Sequence, residues 1–548
     1  MFKRLINNGR SLFVKENSSI LSAATVIMGA SLASAVLGLI RTRLLITYFY
    51  NDTAVLDVFW AAFRLPDMVF QIIIVGALSS AFIPVFSKYL GNKSESSRLA
   101  SSMINAIMLV MLVLTILLLI YARPLSGVIA GGFESSQLDL MANLTRIMAA
   151  AQLFFGFSSF LTGIIQSNQR FLIPALSPIL YNLGIIIGII VLGPTIGIYG
   201  PAVGVLLGAV LHLLTQLPLA HQLGFTATIS PNSPAVAEMM RLMGPRVLTL
   251  SLTQIEATII VTFSSWLSTG TVTLMAIAQQ LSAMPVRLIG VPIGQASLPF
   301  FAKNASSRER GELSTMVNHT ILEMLYLALP LSAIVLVLRI PLVRLAYGAD
   351  SFPWAETVLT GKLVAILALS IAARSLTHVL VRVFYALHNT TVPLIANLLS
   401  TIINVSVSYY FLFVAQAGIL GMAFAITVAS ILETIVLTAI LYGYAKFSLR
   451  DLLVPLSKIL LSTVITGFAL WVPLRVLDRM VFDTTRTLPL IMLTLSVGLI
   501  GIGVYITLSY FLKIRELTVF VALVEKIGNW HKALSQSKET LDSDDSSV

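Results

Sequence analysis

The most informative residues of this sequence are arginines that lie inside long apolar segments. Arg41 lies eight residues before Phe49, at the end of one apolar run, and Arg64 lies about ten residues into the next. At about 1.5 Å per helical residue, the two arginines lie roughly 12–15 Å from neighbouring helix ends. A charge at the bilayer centre costs at least ~2.5–3.5 kcal/mol, so it normally faces a cavity or a partner. Because a guanidinium matches phosphate oxygens, this pair predicts an anion site.

Arg64 belongs to the stretch "AFRLPDMV" (62–69), which interrupts an otherwise apolar run. Pro66 removes a backbone hydrogen bond and bends its helix, which predicts a kink that opens room beside Arg64. The alternative is a packing kink with a structural ion pair, in which Asp57 or Asp67 neutralises Arg64. Arg41 has no comparably placed acid, so at least one cation is expected to remain available to an anionic ligand.

Arg43 and Arg287 each allow two interpretations. Arg43 points to nearly the opposite helix face from Arg41, so both line one cavity only if the helix breaks, for which Gly38 is the candidate hinge. Otherwise Arg43 extends to the outer interface. Arg287 either lines the inner half of the same path or extends to the cytoplasmic interface. Both stay candidate substrate-binding residues.

The composition indicates the class of protein whose helices must hold these charged side chains. Of the 548 residues, 57% are apolar and 11% are charged, with a mean hydropathy of +0.92. Soluble proteins carry about a quarter charged residues, so this is a membrane protein. Cysteine is absent, which excludes disulfides and thiolate chemistry. The net charge of +11 is explained by basic cytoplasmic loops, and no nucleic acid is expected to bind.

Apolar runs of spanning length recur along the chain and predict an all-α protein with about fourteen transmembrane helices. The distribution of Lys and Arg places both termini in the cytoplasm. Residues 1–19 are predicted to be a cytoplasmic segment, and residues 514–548 an amphipathic, then disordered, cytoplasmic tail. The predicted spans are 20–49, 55–87, 98–121, 138–165, 171–193, 197–221, 236–267, 271–302, 313–343, 356–387, 391–415, 417–444, 450–474 and 487–512.

The spans form an internal repeat. Four pairs match in order with slowly drifting offsets: Pro84 with Pro299 (299 − 84 = 215), Pro124 with Pro341 (217), Pro174 with Pro393 (219) and Gly200 with Gly421 (221). Each repeat holds six helices, which predicts two lobes (20–235 and 236–445) followed by two additional helices (446–513). Parallel repeats of this kind place a binding cavity between the lobes near the membrane midplane.

The repeat also predicts which residues of the second half face that cavity. Glu256 occupies the position of Arg41 (256 − 41 = 215), and Gln279, beside Gln280, occupies that of Arg64 (279 − 64 = 215). Glu256 and Asn404 are candidate cation ligands, and the alternative for each is a buried, hydrogen-bonded side chain. The sequence contains no "GxxxxGK[ST]" motif, so coupling to Na⁺, H⁺ or the membrane potential is predicted rather than direct use of ATP. No cofactor or metal is expected.

The sequence resembles the MurJ (MviN) family of lipid II flippases, in the multidrug/oligosaccharidyl-lipid/polysaccharide exporter superfamily. The motifs are "VLGLIRTRL" (36–44), "DVFWAAFRLPDMV" (57–69), "GALSSAFIPVFSKYL" (76–90), "PALSPILYNLGIIIGI" (174–189) and "GIYGPAVGVLLG" (197–208). The resemblance implies a transporter that carries the pyrophosphate-linked peptidoglycan precursor from the cytoplasmic to the outer leaflet by alternating access. It matches Arg41, Asp57 and Arg64 to functional residues of the family.

The sequence departs from the family pattern at four positions. Ala35 and Gln280 stand where the family has arginines, Thr42 where it has an aspartate and Val75 where it has a glutamate. These departures indicate a divergent homologue with an intact architecture and altered substrate contacts.

Three other functions remain open. The chain could export another polyprenyl-linked oligosaccharide or a small molecule on the same fold, or it could be a non-transporting membrane scaffold. A membrane enzyme is disfavoured, because the short loops offer no paired carboxylates or metal-holding acidic motif. The resemblance implies a multi-pass protein of the bacterial cytoplasmic membrane. Its expected partners are a lipid-linked saccharide pyrophosphate, membrane lipid and cell-wall synthesis proteins, and the chain is expected to be a monomer.

Overall fold

The computed structural model describes residues 20–78, 82–87, 89, 93–226, 228, 234–305, 310–348, 352–445, 449–484 and 486–518. Within these ranges the chain is helical and forms no strand. It divides into two compact units, which cover Met1–Ala276 with Ala346–Pro353, and Ile277–Leu345 with Trp354–Val548.

The first unit contains ten helices and the start of an eleventh. They are α1 (Ile20–Phe49), α2 (Thr53–Ala62), α3 (Arg64–Phe70), α4 (Ile83–Ser87), α5 (Lys93–Ile129), α6 (Ser135–Ser167), α7 (Leu172–Ile187), α8 (Gly193–Ile196), α9 (Tyr199–Gln222), α10 (Pro234–Ser265) and α11 (Thr271–Pro285). Two π-helical segments, Gln71–Val75 and Gly188–Leu192, continue α3 and α7.

The second unit begins within α11, and it contains all the later helices except the last two residues of α14, which belong to the first unit. Its helices are α12 (Val291–Ala305), α13 (Arg310–Val337), α14 (Arg339–Tyr347), α15 (Trp354–Ala368), α16 (Ile371–Ala386), α17 (Thr391–Tyr409), α18 (Gly418–Ala445), α19 (Leu449–Met480) and α20 (Thr487–Phe511). Its π-helical segments are Val286–Gly290 and Tyr410–Val414.

The helices confirm the predicted all-α membrane architecture. Thirteen helical spans among the described residues are long and apolar enough to cross a bilayer. The pair α15 and α16, bent by 40° at a short break, makes fourteen when counted as one broken span. The predicted lobe boundaries and the cytoplasmic placement of the termini stay predictions. The predicted segment 1–19 and residues 519–548 of the predicted tail lie outside the described residues.

In the first unit, α7 and α9 approach each other closely through glycines four residues apart. A Cβ atom added at Gly184 would lie 2.4 Å from Gly208 Cα, and one added at Gly188 would lie 2.6 Å from Gly204 Cα. The hydrophobic effect does not drive helices together within lipid, so membrane helices usually pack through small residues that allow close backbone contact. This contact fixes α7, whose polar face supplies part of the site described below.

In the second unit, the core lies where α13 packs against α16, α19 and α20. Its fully buried side chains include Tyr326, Phe384 and Ile459. The hydroxyl of Tyr505 donates a hydrogen bond of 2.9 Å to Tyr326 O, which ties α20 to α13. The two helices that follow the repeat are therefore part of the core of this unit.

Unusual backbone features recur at equivalent positions of the two repeats. The π-helical segments starting at Gln71 and Val286 are separated by 286 − 71 = 215 residues, and those starting at Gly188 and Tyr410 by 410 − 188 = 222. Left-handed residues recur as well: Gln169 (φ 57°) with His388 (φ 55°) at an offset of 219, and Gly197 (φ 60°) with Gly418 (φ 58°) at 221. The backbone thus repeats with the same drift as the sequence.

Candidate substrate cavity

The segment that carries Arg64 is a broken helix. Pro66 has no N–H to donate to Ala62 O, and its ring would crowd that carbonyl in a regular helix. Accordingly, α2 ends at Ala62 and α3 begins after Phe63. The hydroxyl of Thr145 on α6 donates a hydrogen bond of 3.2 Å to the freed Ala62 carbonyl. The predicted kink is therefore present, and a neighbouring helix satisfies its unpaired acceptor.

Arg64 is held by one acid and one amide. Its Nη2 donates to Gln254 Oε1 at 2.7 Å and to Gln254 O at 3.4 Å, while its Nη1 lies 3.6 Å from Asp67 Oδ2. Only 16% of the Arg64 side chain is exposed. Its Nε is buried and finds no acceptor among the described residues. Of the two acids considered for Arg64, the structure pairs it with Asp67.

Arg41 is oriented by an asparagine of α7. Arg41 Nη1 donates to Asn182 Oδ1 at 3.2 Å. Asn182 Nδ2 in turn donates to Ser34 O, Ser34 Oγ and Pro178 O at 3.1–3.3 Å, which fixes the amide with its oxygen toward Arg41. Sequence reasoning overlooked Asn182, although an amide within the apolar run "PALSPILYNLGIIIGI" was a usable signal.

Helix α1 runs through Gly38 without a break, and Thr42 Oγ1 donates to Gly38 O at 3.0 Å. The helix break at Gly38 that would bring Arg43 beside Arg41 is therefore absent from the described structure. Arg43 is half-buried and is not among the residues that line the cavity described next. A hinge at Gly38 in another state stays a prediction.

A cavity of about 240 Å³ lies within the first unit and contains one charge of each sign, Arg41 and Asp67. Its polar lining also includes Gln71, which donates to Asp67 Oδ1 at 3.4 Å, and the buried Gln152. The remaining wall is aromatic and aliphatic: Leu45, Phe59, Trp60, Phe63, Phe70, Phe155, Tyr181, Ile185, Ile189 and Val205.

Two hydrogen-bond donors without acceptors in the described part of the chain lie at the cavity, one on the lining residue Trp60 and one on Arg64, which does not line the cavity itself. Trp60 Nε1 is buried without an acceptor among the described residues, as is Arg64 Nε beside the cavity acid Asp67. Buried polar groups in folded proteins are nearly always hydrogen-bonded, so these two donors call for an acceptor-rich ligand. The volume lies below the roughly 300–1,000 Å³ of sites for drug-sized ligands. In this state the cavity has room for a small polar group and not for a whole glycolipid.

Asp57 has a different environment from the two arginines. Its Oδ2 accepts from Gly270 N at 2.6 Å, and its Oδ1 accepts from Thr273 N at 2.8 Å and Thr273 Oγ1 at 2.7 Å. Only 2% of Asp57 is exposed. The carboxylate thus satisfies amides at the start of α11, where negative charge is favourable. Its two oxygens are occupied in holding a helix start, so the structure does not bring it to the cavity.

The remaining predicted site residues are dispersed. Glu256 is half-buried on α10 of the first unit. In the second unit, Gln280 is half-buried on α11 and Arg287 is exposed on a π-helical segment. Asn404 is 2% exposed and accepts a hydrogen bond of 3.2 Å from Ser408 Oγ. Their predicted roles toward a substrate or cation stay predictions.

A family model described as "Lipid II flippase MurJ" matches residues 46–484 of the chain. The chain belongs to this family. Relatives along most of its length carry the same description. A "Probable lipid II flippase MurJ" of Bdellovibrio bacteriovorus is 25% identical over 515 residues, covering 92% of this chain and 97% of the relative. A protein of Thermotoga maritima with that description is 25% identical over 485 residues, covering 88% and 95%.

Solved structures support the same fold for this MurJ family member. A structure of "Lipid II flippase MurJ, inward closed conformation" superposes with a TM-score of 0.72 at 24% identity, covering 88% of this chain and 98% of that one. An inward-facing multidrug resistance MATE family transporter of the MOP superfamily gives a TM-score of 0.60 at 16% identity, covering 75% and 98%. The predicted family and architecture are confirmed.

Three of the four departures from the family pattern, Ala35, Thr42 and Gln280, lie in regular α-helix, and the fourth, Val75, ends the π-helical segment Gln71–Val75. Thr42 is fully buried and bonds within its own helix, while Ala35, Val75 and Gln280 are half-buried. Thr42 thus has no charge to offer the cavity, whereas Arg41, its neighbour in sequence, lines it. In the first unit, Arg41 is therefore the cation that lines the cavity, and Arg64 lies behind the lining as the ion-pair partner of Asp67.

Proposed function

We propose that this protein is a lipid flippase that carries the peptidoglycan precursor lipid II from the inner to the outer leaflet of the bacterial cytoplasmic membrane by alternating access. Membership in the MurJ family supports the substrate class. The observation that carries the proposal is Arg41, which an asparagine holds in place at a cavity inside a membrane-spanning unit. The protein moves its substrate and makes or breaks no covalent bond, so it is a transporter rather than an enzyme.

The pyrophosphate is the part of the substrate that these side chains suit. Arg41 offers charge-assisted hydrogen bonds, which are about twice as strong as neutral ones. Arg64 can join it by leaving Asp67 or Gln254. Only 16% of the Arg64 side chain is exposed, so Arg64 can leave these partners only where ligand phosphate oxygens replace them as acceptors of charge-assisted hydrogen bonds. Asp67 then serves to hold Arg64 until the anion arrives.

The lipid and sugar parts of the substrate must lie outside this cavity, because about 240 Å³ is too small for them. We propose that the cavity selects the charged linkage and that an enlarged state accommodates the rest. The inward-closed form of the similar MurJ structure is consistent with a cycle in which the cavity changes volume.

Energy for the cycle is proposed to come from an ion gradient or the membrane potential. Glu256 and Asn404 are the candidate sites for Na⁺ or H⁺. The proposed orientation places both termini in the cytoplasm, and the proposed working form is a monomer that supplies cell-wall synthesis proteins with lipid II.

The test is flipping of fluorescent lipid II by the purified protein in vesicles. Arg41→Ala and Arg64→Ala are each expected to lower the initial rate about tenfold to 150-fold, from the ~1.5–3 kcal/mol of a hydrogen bond to a charged group. Arg479→Ala, at an exposed position in the last turn of α19, is the matched control and should flip normally. Normal flipping by both cavity variants would refute the site.

Two further measurements separate the alternatives. Rescue of growth in a bacterium depleted of its own flippase would support transport and contradict a scaffold, which cannot restore wall synthesis alone. Transport of another polyprenyl-linked oligosaccharide at a higher rate than lipid II would replace the proposed substrate while retaining the site.

A further inference from the structure

A second cavity lies in the other unit, at the ends of the helices that follow the repeat. It has a volume of about 560 Å³ and is formed by α13, the first three turns of α19 and the residues after α20. That volume falls within the roughly 300–1,000 Å³ of small-molecule sites. Its charged lining consists of Arg450, Lys458, Lys513, Arg515, Asp451 and Glu516, together with His319.

The cationic side chains of this cavity are available to a ligand. Arg450, Lys513 and Arg515 are exposed, and none of them forms an ion pair within the described part of the chain. Lys458 is half-buried and donates to the free carbonyl of Leu512 at 3.1 Å, which leaves two of its three N–H groups. Four cations against two acids give the cavity an excess of two positive charges.

Glu516 indicates that the ligand of this cavity must also carry a hydrogen-bond donor. Only 5% of this residue is exposed, and its Oε2 is buried without a donor among the described residues. A buried carboxylate oxygen without a donor is costly, although cationic side chains line the same cavity. A ligand that carries both an anionic group and an N–H or O–H donor would pair with the cationic side chains and with Glu516 at the same time.

The surroundings indicate that this ligand is a lipid. Val454 lines the cavity and is 51% exposed, and the same helix face continues with exposed Leu461 (51%) and Ile465 (39%). Residues seven and eleven apart share one face of a helix. The charged cavity therefore continues into an apolar, membrane-facing strip, an arrangement that suits a headgroup with its acyl chains and not a free phosphate.

We propose that this cavity binds the phosphodiester headgroup of a membrane phospholipid, with Arg450, Lys458, Lys513 and Arg515 around the phosphate and Glu516 accepting a hydrogen bond from the headgroup's hydroxyl or ammonium. Basic pockets between membrane helices are known to take anionic headgroups. The site lies outside the cavity of Arg41, and its occupancy does not depend on the proposed transport.

The test is lipid retention by the full chain in native mass spectrometry, using phosphatidylglycerol and phosphatidylcholine as probes. We expect one phosphatidylglycerol to be held more tightly than phosphatidylcholine. Lys513→Ala with Arg515→Ala should weaken its binding about 25-fold, at about fivefold for each charge removed near the surface. Arg475→Ala with Arg479→Ala, near the opposite end of α19, is the matched control and should change binding less than twofold.

Several results would overturn the proposal. They are equal retention of the two lipids, an equal loss in the control variant, and displacement of the lipid by millimolar inorganic phosphate, which would identify a soluble-anion site. Glu516→Gln should weaken phosphatidylethanolamine more than phosphatidylglycerol, because an ammonium loses an ionic partner. Equal effects on both lipids would contradict the role given to Glu516. Since only binding is measured, failure here leaves the flipping assay unaffected.

Discussion

The hydrogen bond from Thr145 to the kinked helix gives a sharp test of how this fold tolerates a proline inside the membrane. Thr145 and Ala62 are both fully buried, and the hydroxyl lies 3.2 Å from the carbonyl oxygen that Pro66 leaves unpaired. Thr145→Val keeps the side-chain shape and removes the donor. An unsatisfied buried acceptor costs about 1–3 kcal/mol, so we expect the free energy of unfolding to fall by that amount.

A double-mutant cycle identifies the cause. Pro66→Ala restores an N–H that can donate to Ala62 O in a continuous helix, so Thr145→Val should cost little in that background. The expected coupling energy is therefore about 1 kcal/mol or more. Unfolding of the purified variants by sodium dodecyl sulfate in mixed micelles measures each corner of the cycle.

Thr401→Val serves as the matched control, because this hydroxyl bonds the carbonyl of Asn397 within its own helix. That carbonyl keeps its helical N–H partner, and we expect a loss within about 0.5 kcal/mol. An identical cost of Thr145→Val with and without Pro66 would refute the interpretation that the hydroxyl replaces the missing backbone donor.

Three other predictions follow from contacts of the first unit. Asn182→Ala should weaken lipid II binding about fivefold to tenfold in a direct binding assay, because Arg41 loses the ~1–1.5 kcal/mol contact that orients it; unchanged binding would mean that Arg41 is positioned without it. Asp57→Asn should destabilise the protein by about 1–3 kcal/mol in mixed-micelle unfolding, since an amide cannot repeat the charge-assisted bonds at the start of α11. Gly184→Ala should lower thermal stability strongly in a detergent melting assay, whereas Gly503→Ala, with open space around its Cβ position, should not; equal effects would contradict close packing of α7 on α9.

The sequence alone was sufficient to predict the helical architecture, because one physical rule governs membrane-spanning segments. A helix must present about 20 apolar residues to cross the bilayer, and the fourteen predicted runs reproduce the spanning helices of the structure. The kink at Pro66 was predictable for a similar reason, since proline always removes a backbone donor.

The contacts within the site were less accessible to sequence reasoning. The depth of Arg41 and Arg64 could be counted along their helices, but the partners of these arginines lie far away in the chain. Asn182 is 141 residues from Arg41, and Gln254 is 190 residues from Arg64. Asp57 was assigned to the substrate by family pattern, whereas the structure uses it at a helix start, a role that depends on α11 approaching in space.

The recurring π-helical segments indicate which part of the architecture existed before the two halves of the chain became separate. Two π insertions stand at corresponding positions in each half, with offsets of 215 and 222 residues. The side chains matched to Arg41 and Arg64 are by contrast Glu256 and Gln279. A π insertion adds one residue to a helix, and acquiring it independently at two matched pairs of positions would need four separate events. The simpler history has an ancestral six-helix unit that already carried both insertions before its gene was duplicated. In that history both copies inherited the backbone, and the side chains matched to Arg41 and Arg64 diverged afterwards.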